Sequence, residues 1–308
     1  MHLTLALLLC ACTPPTDTSE PVDTGDTTDT GEEAPLTHAF SFAVFADTHM
    51  YGSAESEARA TAAVDWVNQH ATERDIQLVL VVGDIAWNSG LDTVRDVFAP
   101  LPVPWVPVTG DNEVHSGDEG AFYTTMQPQW EALAGDLTGW SLAPAPIHNP
   151  EYDQDSWFTN LRFEHGGVRF VGLDWGSRSD SDIFGEMADL QDFEGATLPW
   201  LEESLVGCEE APIDSVVLFS HHPMHLFPGA FDQTELDTLI ARLAPWGDAL
   251  YADFAGHYHV NMEDWPAGAS WGAFVTDAIW DDELTIRVVE VSANGRRFAY
   301  EHELVVVE

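Results

Sequence analysis

"DSVVLFSHHPMH", residues 214–225, is an apolar run that ends in three histidines, and "ALYADFAGHYH", residues 249–259, repeats the arrangement with two more. Both runs read as buried strands. Three earlier runs end in the same kind of side chain. "HAFSFAVFAD" (38–47) leads to Asp47 and His49, "IQLVLVVGD" (76–84) to Gly83-Asp84, and "VPWVPVTGD" (103–111) to Gly110-Asp111-Asn112-Glu113. One Gly-Asp after a strand is usually only a turn. Five strand ends carrying His, Asp or Glu point to one shared site, because imidazole and carboxylate are metal-ligand chemistry. In open α/β sheets such sites form beyond the carboxyl ends of the strands. If the five strands share one sheet, all five clusters meet on one rim.

The segments between the runs read as helices. Residues 53–74 have Ser53 as a cap, Glu55 and Glu57 in the first turn, and an apolar face through Ala58, Ala62 and Val67. Shorter helices are expected near 90–98, at "TLPWLEESL" (197–205) and over 232–244. Residues 156–175 read as a hairpin turning at His165-Gly166-Gly167, and residues 270–306 as strands turning at Ala293-Asn294-Gly295. Pro104 and Pro107 confine their strand to an edge or a short ladder. Residues 114–156 and 176–196 read as loops that set specificity. The pattern is one α/β domain over residues 39–308.

The sequence has 308 residues, 53 Asp plus Glu, and ten basic residues, all Arg, for a net charge of −43. A surface this acidic repels nucleic acid and anionic lipid, so no nucleic-acid partner is expected. Residues 1–12 read as an export signal, too short to span a bilayer. Leu9-Cys10-Ala11-Cys12 fits a lipoprotein processing site at Cys12, and a plain secretory signal is the alternative. The expected location is the bacterial cell envelope, as a lipoprotein, or outside the cell, with the membrane reached only through a lipid on Cys12. Residues 13–38, rich in Thr, Asp, Pro and Gly, read as a solvated linker. Cys208 is then a lone thiol and reads as inert.

Taken in order, Asp47-Thr48-His49, Gly83-Asp84, Gly110-Asp111-Asn112-Glu113, His221-His222-Pro223 and Gly256-His257-Tyr258-His259 resemble the motifs of the calcineurin-like metallophosphoesterases. The resemblance covers about residues 39–280. It implies a four-layer αββα fold, two sheets packed face to face with helices outside. It implies two transition-metal ions, Mn, Fe, Zn or Ni. Asp47, His49, Asp84 and His259 would hold one ion, and Asp84, Asp111, His221 and His257 the other, with Asp84 bridging. It implies hydrolysis of a small phosphate ester by a water that the ions acidify.

The third block departs from the family, which has Gly-Asn-His followed by Asp or Glu. Asp111 keeps an oxygen ligand and adds a negative charge. Asn112 can orient a phosphate oxygen but cannot donate a proton as an acid. Three explanations stand: His115 substitutes, the leaving group needs no acid, or catalysis is weak. The last keeps a second reading open, a binding protein of this fold on the envelope. His222 and His225 flank His221; His222 reads as a support for the ligands and His225 as a pocket residue or one that faces solvent. Trp87, Trp175 and Trp280 read as core or surface, or as the border of a cleft, and Asp174 as structural. Monoester, diester, nucleotide and phospholipid head group all remain open as substrates.

Overall fold

Strand β1 (Thr37–Phe45) alternates Phe and small residues and is buried from Phe40 onward, so it can only lie inside a covered sheet. The computed structural model describes residues 34–307, apart from 88, 116–118, 180–181, 183–186, 226–229 and 282. The expected export signal (1–12), Cys12 and the linker as far as residue 33 lie outside the described residues. The linker expected to reach residue 38 ends earlier, because Thr37 and His38 pair with Ala293 and Ser292 and open β1.

After β1 come α1 (Ala54–Arg74), β2 (Ile76–Val82), α2 (Leu91–Phe98), β3 (Trp105–Val108), α3 (Asp111–His115) and α4 (Glu119–Asp136). Short strands β4 (Thr138–Leu142), β5 (Ile147–Asn149) and β6 (Gln154–Ser156) precede the hairpin β7 (Leu161–His165) and β8 (Val168–Leu173). Then follow α5 (Thr197–Leu205), β9 (Val216–Ser220), α6 (Gln233–Leu243), β10 (Leu250–Ala255), β11 (Met262–Asp264), β12 (Gly272–Val275), β13 (Thr285–Ala293) and β14 (Phe298–Val306). Among the described residues, no helix is long and apolar enough to cross a membrane.

The strands form two large mixed sheets. One has the order β14-β13-β1-β2-β3, with β1, β2 and β3 parallel; the other has the order β11-β12-β10-β9-β8-β7-β4, with β12, β10, β9 and β8 parallel. β3, with Pro107, lies at an edge, as its prolines require. The inner faces share one core. Phe42 of β1 meets Phe170 of β8 and Phe254 of β10 edge-on, at 5.5 and 5.4 Å between ring centres. α1 and α2 pack with that core, while α5 and α6 bury Leu198, Leu201, Leu239 and Leu243 in a second cluster with Val171, Val216 and Leu218. This is the expected αββα arrangement.

Two expectations need correction, and the condition of one shared sheet is not met. The five site strands do not share one sheet: β1, β2 and β3 belong to one and β9 and β10 to the other. Residues 114–156 are not a loop, since α4 takes up 119–136 and packs Phe122, Met126, Trp130 and Leu133 inward. The hairpin is confined to 161–173, because Ser156 pairs instead with Ile147. Trp175 is core, and burial raises the pKa of the Cys208 thiol, which fits an inert sulfhydryl.

Candidate metal centre

The C-terminal ends of β1, β2 and β3 face those of β9 and β10 across the sandwich, and the five clusters meet there. Asp47, His49, Asp84, His257 and His259 all have positive φ, between 42° and 76°. Among the described residues, nine non-glycine residues do so, and five of them are here. Such backbone costs about 1–3 kcal/mol per residue and persists where neighbours enforce it. The neighbours are visible. His257 N–H donates to both carboxylate oxygens of Asp47, at 3.2 and 3.0 Å. His49 N–H donates to the Asp84 carbonyl at 2.9 Å, and Asn112 N–H to Asp84 Oδ1 at 2.9 Å. Gly110 has to be glycine, because a Cβ there would sit 2.2 Å from Asp84 N.

The seven expected ligands form two groups joined by one residue. Asp47 Oδ1 lies 3.7 Å from His49 Nε2 and 3.5 Å from His259 Nε2. Asp111 Oδ1 lies 2.6 Å from His221 Nε2 and 3.1 Å from His257 Nδ1. Asp84 turns Oδ2 toward His49 Nε2 and Oδ1 toward His221 Nε2, each at 3.3 Å. The donor atoms of Asp47, His49 and His259, of Asp111, His221 and His257, and of Asp47, Asp84 and His221 each lie within 4.8 Å of one another.

The residues fit metal ions on two further counts. His49 Nε2 is buried without a hydrogen-bond partner, although it faces two carboxylates. His221 Nδ1 donates to the Val82 carbonyl at 2.9 Å, which leaves Nε2 as the nitrogen aimed at Asp84 and Asp111. The electrostatics point the same way. Burial opposes charge on His49, but Asp47 and Asp84 outweigh it and hold the ring up to about 10. Burial likewise opposes charge on His221, and Asp84 and Asp111 raise it well above its ordinary value. Burial works against the Asp47 and Asp111 carboxylates as well, yet their histidines keep both below the usual range. Three crowded carboxylates call for cationic charge, and protonated imidazoles supply it unless a metal does.

Supporting residues surround this constellation. Glu113 is fully buried; its Oε1 accepts N–H from Ile85 and Ala86 (2.8 and 2.9 Å), and its Oε2 accepts from Gly110 (2.7 Å). It ties the turns after β2 and β3 together. Burial, then the charge of Asp84, pushes it up to about 8. Asp253 accepts the Met224 N–H at 2.9 Å and meets Ser220 Oγ at 3.0 Å, anchoring the turn that carries His221. His222 is buried against the rings of His221 and His257, at 5.1 and 4.5 Å, and His225 is buried in the same turn. Neither Glu113 nor Asp253 was assigned a role from sequence. Asp253 carried a signal, a lone acid inside an apolar strand, and Glu113 closes the third block.

Asn112 and His115, the two residues expected to serve the leaving group, each have contacts of their own. The Asn112 side-chain amide lies 3.2 Å from His49 Nδ1, so it orients a ligand ring. His115 faces Asp182 Oδ2 at 3.8 Å, in a cleft of about 540 Å³ lined by Glu119, Gln154, Trp157 and Arg178. Asp174 is structural: Arg178 donates to both its oxygens, at 2.8 and 2.9 Å, and to Glu119 at 3.0 Å.

The family model of calcineurin-like phosphoesterases matches residues 40–261, more than half of the chain and all five clusters. The chain belongs to the calcineurin-like phosphoesterase family. Members of this family are hydrolases that generally bind divalent metals, and this member carries the donor groups for them. No curated protein matches its sequence. Among solved structures, GAP50, the anchor in the inner membrane complex of Plasmodium, is similar at 14% identity and TM-score 0.54, over 88% of this chain and 86% of that one. A putative 5'-nucleotidase from Staphylococcus aureus is similar at 14% identity and TM-score 0.51, over 87% of this chain and 54% of that one. This phosphoesterase thus spans about half of the nucleotidase chain, and at these identities the likeness is one of fold.

Proposed function

We propose that this phosphoesterase hydrolyses a phosphate ester at a dinuclear metal centre. The observation that carries the reading is Asp84, whose two carboxylate oxygens face the two ligand groups at equal distance. Asp47, His49 and His259 would hold one ion and Asp111, His221 and His257 the other. A pair of divalent ions supplies positive charge for the phosphoryl oxygens and acidifies water at neutral pH. The chain's own residues supply position: the strained backbone at five ligands, the Val82 carbonyl behind His221 and the Asn112 amide behind His49. No side chain need take the phosphoryl group. With Asn112 in the acid's place, the leaving alkoxide receives its proton from water, which favours esters with acidic leaving groups.

A specific observation favours a second reading. The third block has no histidine and Asn112 is engaged with His49, which suits a protein of this fold that binds a phosphate-bearing ligand without turning it over. The similar Plasmodium structure is that of an anchor and the similar Staphylococcus structure that of a putative nucleotidase, so the fold alone does not choose between the readings. The domain is proposed to be exported and tethered to the envelope by a lipid on Cys12; unchanged membrane fractionation of Cys12→Ser would reject the tether.

Metal content per chain, by elemental mass spectrometry, tests the central proposal. Near two transition-metal ions in the parent and clearly fewer in Asp84→Asn are expected, with release of nitrophenol from nitrophenyl phosphate mono- or diesters. Two bound ions without turnover of either ester would select the binding reading. No bound ion after supply of Mn, Zn and Fe would reject the hydrolase reading and turn the search to binding partners.

A further inference from the structure

We infer that Trp280 and Tyr51 form a stacking wall beside the metal centre that receives a planar aromatic ring of the substrate, making an aryl or nucleoside phosphate the substrate class in preference to a small alkyl phosphate. The inference rests on the hydrolase reading above and adds the group that reading leaves open. The Trp280 ring stacks on the ring of His49, 6.0 Å between centres and 22° between planes. Tyr51 meets Trp280 edge-on at 5.5 Å and 73°. Trp280 keeps 37% of its surface exposed, so part of the indole is open to solvent beside the metal-ligand residues. A second ring fits stacking geometry at such a surface, since aromatic pairs sit with centres about 4.5–7 Å apart.

The wall is held in place before any ligand arrives. Ile279 N–H donates to the Ala46 carbonyl at 2.9 Å and Trp280 N–H to the Asp47 carbonyl at 3.1 Å. From α1, Arg59 donates through Nε to the Ile279 carbonyl at 2.7 Å and through Nη2 to the Asp281 carbonyl. Tyr51 N–H donates to Ser56 Oγ, and Ser89 Oγ donates to the Tyr51 carbonyl. One of only ten arginines thus fixes the Trp280 turn, and a fixed ring loses little entropy on binding. Charge recognition is poorly served on this side. Asp281 places a carboxylate 3.8 Å from His259 Nδ1, so a further phosphate there meets repulsion, whereas a π-face does not.

The test is calorimetric binding of methylphosphonate, phenylphosphonate and a nucleoside phosphonate to the Mn-loaded full chain. These probes are not hydrolysed, so leaving-group acidity plays no part. Phenylphosphonate is expected to bind about tenfold tighter than methylphosphonate, and the ratio to fall toward one in Trp280→Ala and to recover in Trp280→Phe. Tyr51→Ala, which removes the ring that meets Trp280 edge-on, is expected to lower the ratio too, and it carries the test should Trp280→Ala lose metal. Equal strengthening by the phenyl and nucleoside rings assigns recognition to ring stacking alone, and stronger binding of the nucleoside assigns the nucleoside class. A phenyl-to-methyl ratio near one in the parent, or one unmoved by these variants, overturns the inference while the metal reading stands. A Mn-loaded parent that binds no phosphonate removes the reading and the inference together.

Discussion

At the scale of single residues, the site is a set of strained backbones and shared oxygens. Asp47, His49, Asp84, His257 and His259 hold left-handed φ, a region in which Asp and His are enriched among non-glycine residues. Such strain is stored where geometry matters more than stability. Asn112 gives this scale its prediction. Its amide contacts His49 Nδ1, so Asn112→Ala would free the ring while leaving all seven ligands in place. Metal affinity is expected to fall about 10–100-fold, the usual effect of removing a ligand's supporting partner. Competition with a chelator measures it, and an unchanged affinity would show that Asn112 does not orient His49. From sequence, Asn112 read as a phosphate contact; the partner 63 positions away could not be seen.

At the scale of elements, turns are locked to strands by buried acids. Ser220 Oγ donates to the His222 carbonyl at 2.9 Å and also lies 3.0 Å from Asp253 Oδ1. A hydroxyl has one proton, so both contacts are satisfied when Asp253 is protonated and donates to Ser220. Burial pushes Asp253 up to about 7 from 3.8. The folded chain therefore binds this proton between those values while the unfolded chain has released it. Stability from this group is complete below 3.8 and is lost as pH rises through about 7, up to about 4 kcal/mol. Asp253→Asn keeps a donor for Ser220 and an acceptor for Met224 N–H. Denaturant titrations should find the variant gaining on the parent as pH rises from 3.8 to 7; a constant difference would refute the protonated acid. The helix α4 shows what element reading can miss. Phe122, Met126, Trp130 and Leu133 recur at helical spacing and are all buried, but Pro128 and the glycines at 120 and 135 give the segment the look of a loop.

At the scale of the whole molecule, charge and topology dominate. A net charge of −43 without a single lysine repels itself in the folded state. Raising salt from about 0.01 M to about 1 M shortens the Debye length from about 30 Å to about 3 Å. The melting temperature is expected to rise with salt, by about 2–4 °C for each kcal/mol of repulsion relieved. A flat response would mean that the charge is already balanced locally. The five strand-end clusters, their order and their metal-type chemistry were set by the sequence alone, because apolar periodicity and the residues that break it are local properties. The αββα fold followed only with the family resemblance. That the clusters come from two sheets rather than one was decided by tertiary packing, since nothing local states which strands become neighbours. Packing likewise decided that Asp84 faces both groups, that Glu113 clamps two turns and that Trp280 lies over His49. Those contacts join residues tens to hundreds of positions apart, as between Asp47 and His257. Distances of that kind are fixed when two faces of a core close on each other, and a linear pattern carries no record of them.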